Sequence, residues 1–234
     1  MSENRAGDAG PEEEQPTAAA ATNARRTPPP RRHWFFLAGV AFEIGLGGLA
    51  LALSWLLGLS AATHLVADEQ VPLSAPAALL GGSAAALPLL LALLVIDRHP
   101  PRALRAFRDE VEQIVTPLFR PLGLVPLAVL SLAAGWGEEL LYRGLIQTGL
   151  QLAIGGLPGI VVGLSVASLA FGLSHFLSRT YALLAGLVGV YFGLLVLLSG
   201  QLLTALVAHA VYDFFALLYL TRRGSPRDRG RTAA

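Results

Sequence analysis

Apolar and polar positions along this chain fall into long blocks rather than short alternations. Six apolar blocks run over about 34–59, 75–96, 122–152, 159–177, 181–198 and 202–220. Each is close to the roughly 20 residues that a helix needs to cross a bilayer. Gly155, Gly156 and Pro158 break the chain between the third block and the fourth. A segment of another kind separates the second block from the third. Over 98–120, Leu104, Phe107, Val111, Ile114 and Leu118 recur at helical spacing, with Arg105, Arg108, Asp109, Glu110 and Glu112 between them. That spacing predicts an amphipathic helix, lying on the membrane surface or packed on the protein's own face. The expected fold is all-α, a polytopic membrane protein of about six transmembrane helices plus one amphipathic interfacial helix.

The flanks refine this. Residues 1–32 are rich in Ala, Pro, Glu and Arg, with Glu12, Glu13, Glu14 and Pro28, Pro29, Pro30, and cannot bury enough apolar surface to order themselves. They are expected to form a disordered cytosolic tail. Residues 33–221 form the transmembrane domain in this reading, and 222–234 a polar cytosolic tail. The first block is too long for a signal-peptide core and reads as an uncleaved span. Arg31 and Arg32, the five Arg residues at 98, 102, 105, 108 and 120, then Arg179, Arg222 and Arg223 all fall on one side of six spans. The other loops, including the one with His64, Asp68 and Glu69, hold no Arg. The positive-inside rule then puts both termini in the cytosol. Gly159 with Gly163, and Ala185, Gly189 and Gly193, recur four apart, as small residues do where membrane helices pack closely.

Composition agrees. Hydrophobic residues make up 54% and charged residues 14%, against about 25% charged in soluble domains. A net charge of +1 gives no reason to expect nucleic acid. With no Cys, a disulfide, a thiol nucleophile and a Cys metal site are all ruled out. All basic residues are Arg and none is Lys, which suggests a GC-rich genome and hence a bacterial inner membrane.

Chemistry should reside in the few polar residues inside the spans, because a charge at mid-bilayer costs at least about 2.5–3.5 kcal/mol. The third block carries Gly137-Glu138-Glu139-Leu140-Leu141-Tyr142-Arg143. Glu139 and Arg143, one turn apart, form an intrahelical ion pair in the simplest reading. Glu138 is then left without a local cation, in the position of a general base. The fourth block offers Phe171 and His175, the sixth His209 and Asp213, again one turn apart. In the second pair the carboxylate can fix the imidazole tautomer. Glu43 in the first span either joins this network or reaches the interface.

E-E-x-x-x-R, F-x-x-x-H and H-x-x-x-(D/N), in that order and on separate spans, resemble the CPBP family of type II CAAX prenyl endopeptidases and bacteriocin-processing proteins, also called Abi. The resemblance covers about residues 120–220. It implies an intramembrane endopeptidase with a catalytic glutamate that activates water. Carried over, Glu138 is the base, assisted by His175. Glu139 and Arg143 hold it, and His209 with Asp213 stabilises the oxyanion. Some members have Asn where this chain has Asp213. An ionised Asp cannot donate, so Asp213 is expected to orient His209 instead. Depth is a difficulty: His175 precedes Arg179 by four residues, whereas Glu138 follows Arg120 by eighteen. The two meet only if span three starts late or tilts, or if the end of span four is drawn inward.

The nearest rival is a zinc or other divalent metal site built from Glu138, His175, His209 and Asp213, although no cofactor is expected and H-E-x-x-H is absent. The G-x-S-G and G-x-G-D patterns of other intramembrane proteases are also absent. A non-proteolytic membrane scaffold or chaperone partner, and a proton-coupled transporter, are the other functional classes considered. The expected partners are the lipid bilayer and a peptide or membrane-protein substrate.

Overall fold

The computed structural model describes residues 31–59 and 74–223. Most of the expected N-terminal tail, the loop with His64, Asp68 and Glu69, and residues 224–234 lie outside the described residues. The elements are α1 (Arg31–Leu56), α2 (Ala75–Arg98), a 3₁₀ turn (Arg102–Leu104), α3 (Arg105–Glu110), a π turn (Val111–Val115) and α4 (Thr116–Phe119). They continue with α5 (Leu124–Glu139), a π segment (Leu140–Gln147), α6 (Thr148–Ile154), α7 (Gly156–Ser174), α8 (Arg179–Ser199) and α9 (Leu202–Arg222). No strand occurs among the described residues.

Among these residues, six helices are long and apolar enough to cross a membrane: Trp34–Leu56, Ala75–Arg98, Leu124–Ile154, Gly156–Ser174, Arg179–Ser199 and Leu202–Arg222. The third joins α5, the π segment and α6 into one rod of 31 residues. The outer faces of α1 and α2 expose Trp34, Phe42, Trp55, Leu80 and Leu91. So much exposed apolar surface suits lipid, not water, and the protein is an integral membrane protein.

Gly155 and Gly156, at φ of 77° and 56°, make the sharp turn between α6 and α7. Both φ values lie in the left-handed region that glycine enters without penalty. The two arms then pack closely: a Cβ on Gly163 would stand 2.6 Å from the Gln147 carbonyl oxygen. Span four is short. It ends at Ser174, three residues before the expected boundary, and α8 begins at Arg179.

The amphipathic segment packs on the bundle, with a stripe different from the expected one. The inward residues are Phe107, Val111, Val115 and Phe119, whereas Ile114 and Leu118 are each 47% exposed. The π turn is the cause, since its wider winding advances the register beyond that of an α-helix. The Phe107 ring lies 5.5 Å from that of Tyr181, and the Phe119 ring 6.1 Å from that of Phe35.

Polar contacts fasten the same segment. Buried Asp97, at the end of α2, receives Tyr219 Oη at 2.8 Å and Arg108 Nε at 3.3 Å, and pairs with Arg223. Arg223 Nη2 also donates to Glu112 at 2.7 Å. Ser178 Oγ donates to Glu110 at 2.6 Å and accepts from Tyr181 N at 3.2 Å, capping α8.

Candidate active site

The chemistry-bearing rod is α5 with its π continuation. Glu138 and Glu139 close α5, and the helix widens directly after them. Glu139 and Arg143 are wholly buried. Arg143 Nη1 donates to Glu139 Oε1 at 2.8 Å, the expected one-turn ion pair, and Nη2 donates to the Gly189 carbonyl at 2.9 Å. One turn further, Gln147 Nε2 donates to the Gly193 carbonyl at 3.2 Å. The four-residue spacing of Gly189 and Gly193 therefore does more than let helices approach. It offers two bare carbonyls to two buried donors on the facing helix. The Arg143 guanidinium also lies 4.6 Å over the Phe171 ring, a cation–π contact strengthened by desolvation.

His209, on α9, meets this pair. Its Nδ1 lies 2.8 Å from Glu139 Oε1, the oxygen that already accepts from Arg143. Its Nε2 faces Asp213 Oδ2 at the longer distance of 3.5 Å. The ring stacks on Phe192, with centroids 4.9 Å apart and planes at 17°. A carboxylate oxygen can only accept, so the Nδ1 position carries the proton. Glu139, three spans earlier in the chain, makes the closer contact with His209, and Asp213, expected to orient the ring, makes the longer one.

His175 caps the end of α7 instead of lying within the helix. Its Nδ1 lies 2.9 Å from the Phe171 carbonyl, and its ring stacks on Phe171 at 4.6 Å. With Nδ1 donating to that carbonyl, Nε2 presents its lone pair to Glu138 Oε2, 3.7 Å away. Burial pushes the His175 imidazole below its ordinary range, more than the Phe171 hydrogen bond raises it, which favours the neutral form. The 3.7 Å separation is too long for a direct hydrogen bond.

The depth difficulty resolves at the Gly155–Gly156 turn. Glu138 lies 16 residues before Ile154, and His175 lies 19 after Gly156. Counted from the turn, the two residues come to nearly the same level. Span four stops there, while α5 runs on for another 14 residues, from Leu124 to Gly137. The short span leaves His175 inside the bundle, and the amphipathic segment closes over it.

A cavity of about 380 Å³ opens at this level. Glu138, His175, His209 and Asp213 line it, together with Glu43 from α1. Its wall is apolar, with Phe35, Phe107, Phe119 and Leu217 among the lining residues. Glu139 and Arg143 lie behind the lining, fully buried. The Oε2 atoms of Glu138 and Glu43 are both shielded from solvent and have no hydrogen-bond partner among the described residues. Gln147 was missed by the sequence reading. Its signal was the polar line Glu139, Arg143, Gln147 at i, i+4 and i+8, matched by Gly189 and Gly193.

Among the described residues, no three His, Asp or Glu side chains are disposed to hold a metal ion. Glu138 meets His175, and His209 meets Asp213, as two pairs and not as a shell around one point.

Comparison with known families matches residues 120–215 to the type II CAAX prenyl endopeptidase Rce1-like family. That segment contains all three motifs and bears out the resemblance to the CPBP family; α1 and α2 lie outside it. The matched family is one of peptidases. No curated protein and no solved structure matches the chain.

Proposed function

We propose that the protein is an intramembrane endopeptidase that cuts a peptide bond of a membrane-associated or peptide substrate, with Glu138 as general base. One observation carries the reading. A buried carboxylate oxygen without a partner faces the Nε2 of a histidine across 3.7 Å, on a cavity that His209 and Asp213 also line. A water held between Glu138 and His175 gives a proton to the carboxylate as its oxygen adds to the substrate carbonyl. The developing oxyanion takes a hydrogen bond from His209 Nε2, which faces Asp213 Oδ2 at 3.5 Å. The C–N bond then breaks, and the proton held by Glu138 passes to the leaving nitrogen, giving a carboxyl and an amine. Glu139 and Arg143 touch no substrate in this scheme. They fix His209 and brace the helix that carries Glu138. Side chains alone supply the steps, and the Arg-bearing flanks favour both termini in the cytosol of a bacterial cell.

The test compares the peptide termini in membranes carrying wild type or Glu138→Ala at matched expression. New termini that appear with wild type and vanish with the variant are the expected result. Identical termini, with the wild-type phenotype retained by the variant, would overturn hydrolysis and favour a scaffold.

A further inference from the structure

Glu43 belongs to span one, outside the segment matched to a peptidase family, yet its carboxyl lines the same cavity as Glu138 and Asp213. Its depth is fixed by packing. The α1 backbone crosses α5 at Gly137, where a Cβ would strike the Glu43 main chain, and at Gly47, where a Cβ would stand 2.6 Å from Trp136 Nε1 and 3.3 Å from Gly137 Cα. Helices in such contact cannot slide, so Glu43 is held at the level of Glu138 and does not reach an interface. Its Oε2 is nonetheless shielded and has no hydrogen-bond partner among the described residues. An unmet buried acceptor is costly, and where one is retained a ligand donor is a ready explanation. Among the described residues, the lining holds three carboxyls and two imidazoles and no Arg. The buried guanidinium nearby, Arg143, lies behind the wall, bonded to Glu139 and Gly189. Carboxyl oxygens that line an apolar cavity offer acceptors to a substrate donor, and a cationic donor makes the stronger hydrogen bond there.

We infer that Glu43 is a substrate-binding residue of this site, and that with Asp213 it seats a protonated nitrogen of the substrate beside the scissile bond. The inference rests on the hydrolytic reading above for the position of that bond. The substrate segment is apolar, to match Phe35, Phe107, Phe119 and Leu217, with one cationic group. That group is either a basic side chain or a free terminal amine, two sources of the same chemistry.

The test is a binding measurement on the whole protein in lipid nanodiscs, using four fluorescent apolar peptides of equal length. Three are N-acetylated and carry Arg, norleucine or Glu at one central position. The fourth carries norleucine and a free N-terminus. The expected result for wild type is that one cationic peptide binds about tenfold tighter than acetylated norleucine, as a charged hydrogen bond supplies, with the Glu peptide weakest. Which cationic peptide gains identifies the source of the nitrogen. In Glu43→Gln the ratio falls towards one, while Glu43→Asp, which keeps the carboxyl, retains a preference and guards against misreading a folding defect. Equal affinities in wild type, or a preference that survives Glu43→Gln, would overturn the inference. If the ranking holds but no peptide is cut by wild type, hydrolysis fails and the binding assignment stands.

Discussion

Substituting Gly137 by Ala tests the crossing on which the site is built. In an open helix this change is favourable by about 1 kcal/mol, the propensity difference between the two residues. Here the added methyl would overlap the backbone oxygen of Glu43 and stand 2.9 Å from its carbonyl carbon and 3.1 Å from its Oε2. The obstacle is main chain, not the tip of a flexible side chain, so α1 and α5 must part. Overpacking of this kind costs about 1–3 kcal/mol, which offsets the propensity gain and leaves a net loss of up to about 2 kcal/mol. The effect on rate should be larger. Glu138 is the next residue, and a shift of about 1 Å in a reacting group can cost about 100-fold. The assay pairs thermal unfolding in detergent with the rate of peptide cleavage, using Gly45→Ala and Gly48→Ala on α1 as controls. Neither control Cβ meets an atom within 4 Å, so both variants should keep the wild-type rate and be as stable as wild type or more so, by up to about 1 kcal/mol. A Gly137→Ala protein with unchanged melting temperature and rate would refute the claim that span one abuts the helix of Glu138 at this residue.

Two further outcomes follow from the buried polar groups. Arg143→Met should destabilise the fold by about 3–5 kcal/mol, because it leaves Glu139 buried without its cation; adding Glu139→Gln should recover part of that loss, and strictly additive losses in the double-mutant cycle would show that the two are not coupled. His175 is held below its ordinary value of 6.5 by burial, so the unfolded chain takes up its proton first as pH falls. Its neutral form therefore contributes stability that is complete above 6.5 and lost progressively below it, and His175→Gln should flatten that acid limb in melting experiments across pH; an unaltered limb would count against the burial argument.

The spans were legible because bilayer thickness imposes a length that composition alone reveals, and the Glu139–Arg143 pair because one helical turn is a local rule. What sequence could not supply depended on where helices stop and how they are wound. The meeting of Glu138 with His175 required knowing that the turn is at Gly155–Gly156 and that span four ends at Ser174. The inward stripe of the amphipathic segment moved from Ile114 and Leu118 to Val115 and Phe119 because of a π turn that apolar spacing does not encode. The contact of His209 with Glu139 was hidden for another reason. The i, i+4 rule pointed to Asp213 on the same helix, and only packing brings α9 against the end of α5.

The shared oxygen of Glu139 also bears on how the chain is assembled. A nascent span that entered the bilayer with an unpaired Glu and Arg would meet the insertion cost of both charges, about 2.5–3.5 kcal/mol for each at mid-membrane. Because Arg143 reaches Glu139 from within one helix, the third span carries the counterion of Glu139 with it into lipid and leaves Glu138 as the acid still to be accommodated. The Gly189 carbonyl and His209, its other ligands, belong to spans synthesised later. The same ion pair that braces the finished site thus gives the biogenesis machinery a helix it can release before its partners have left the ribosome.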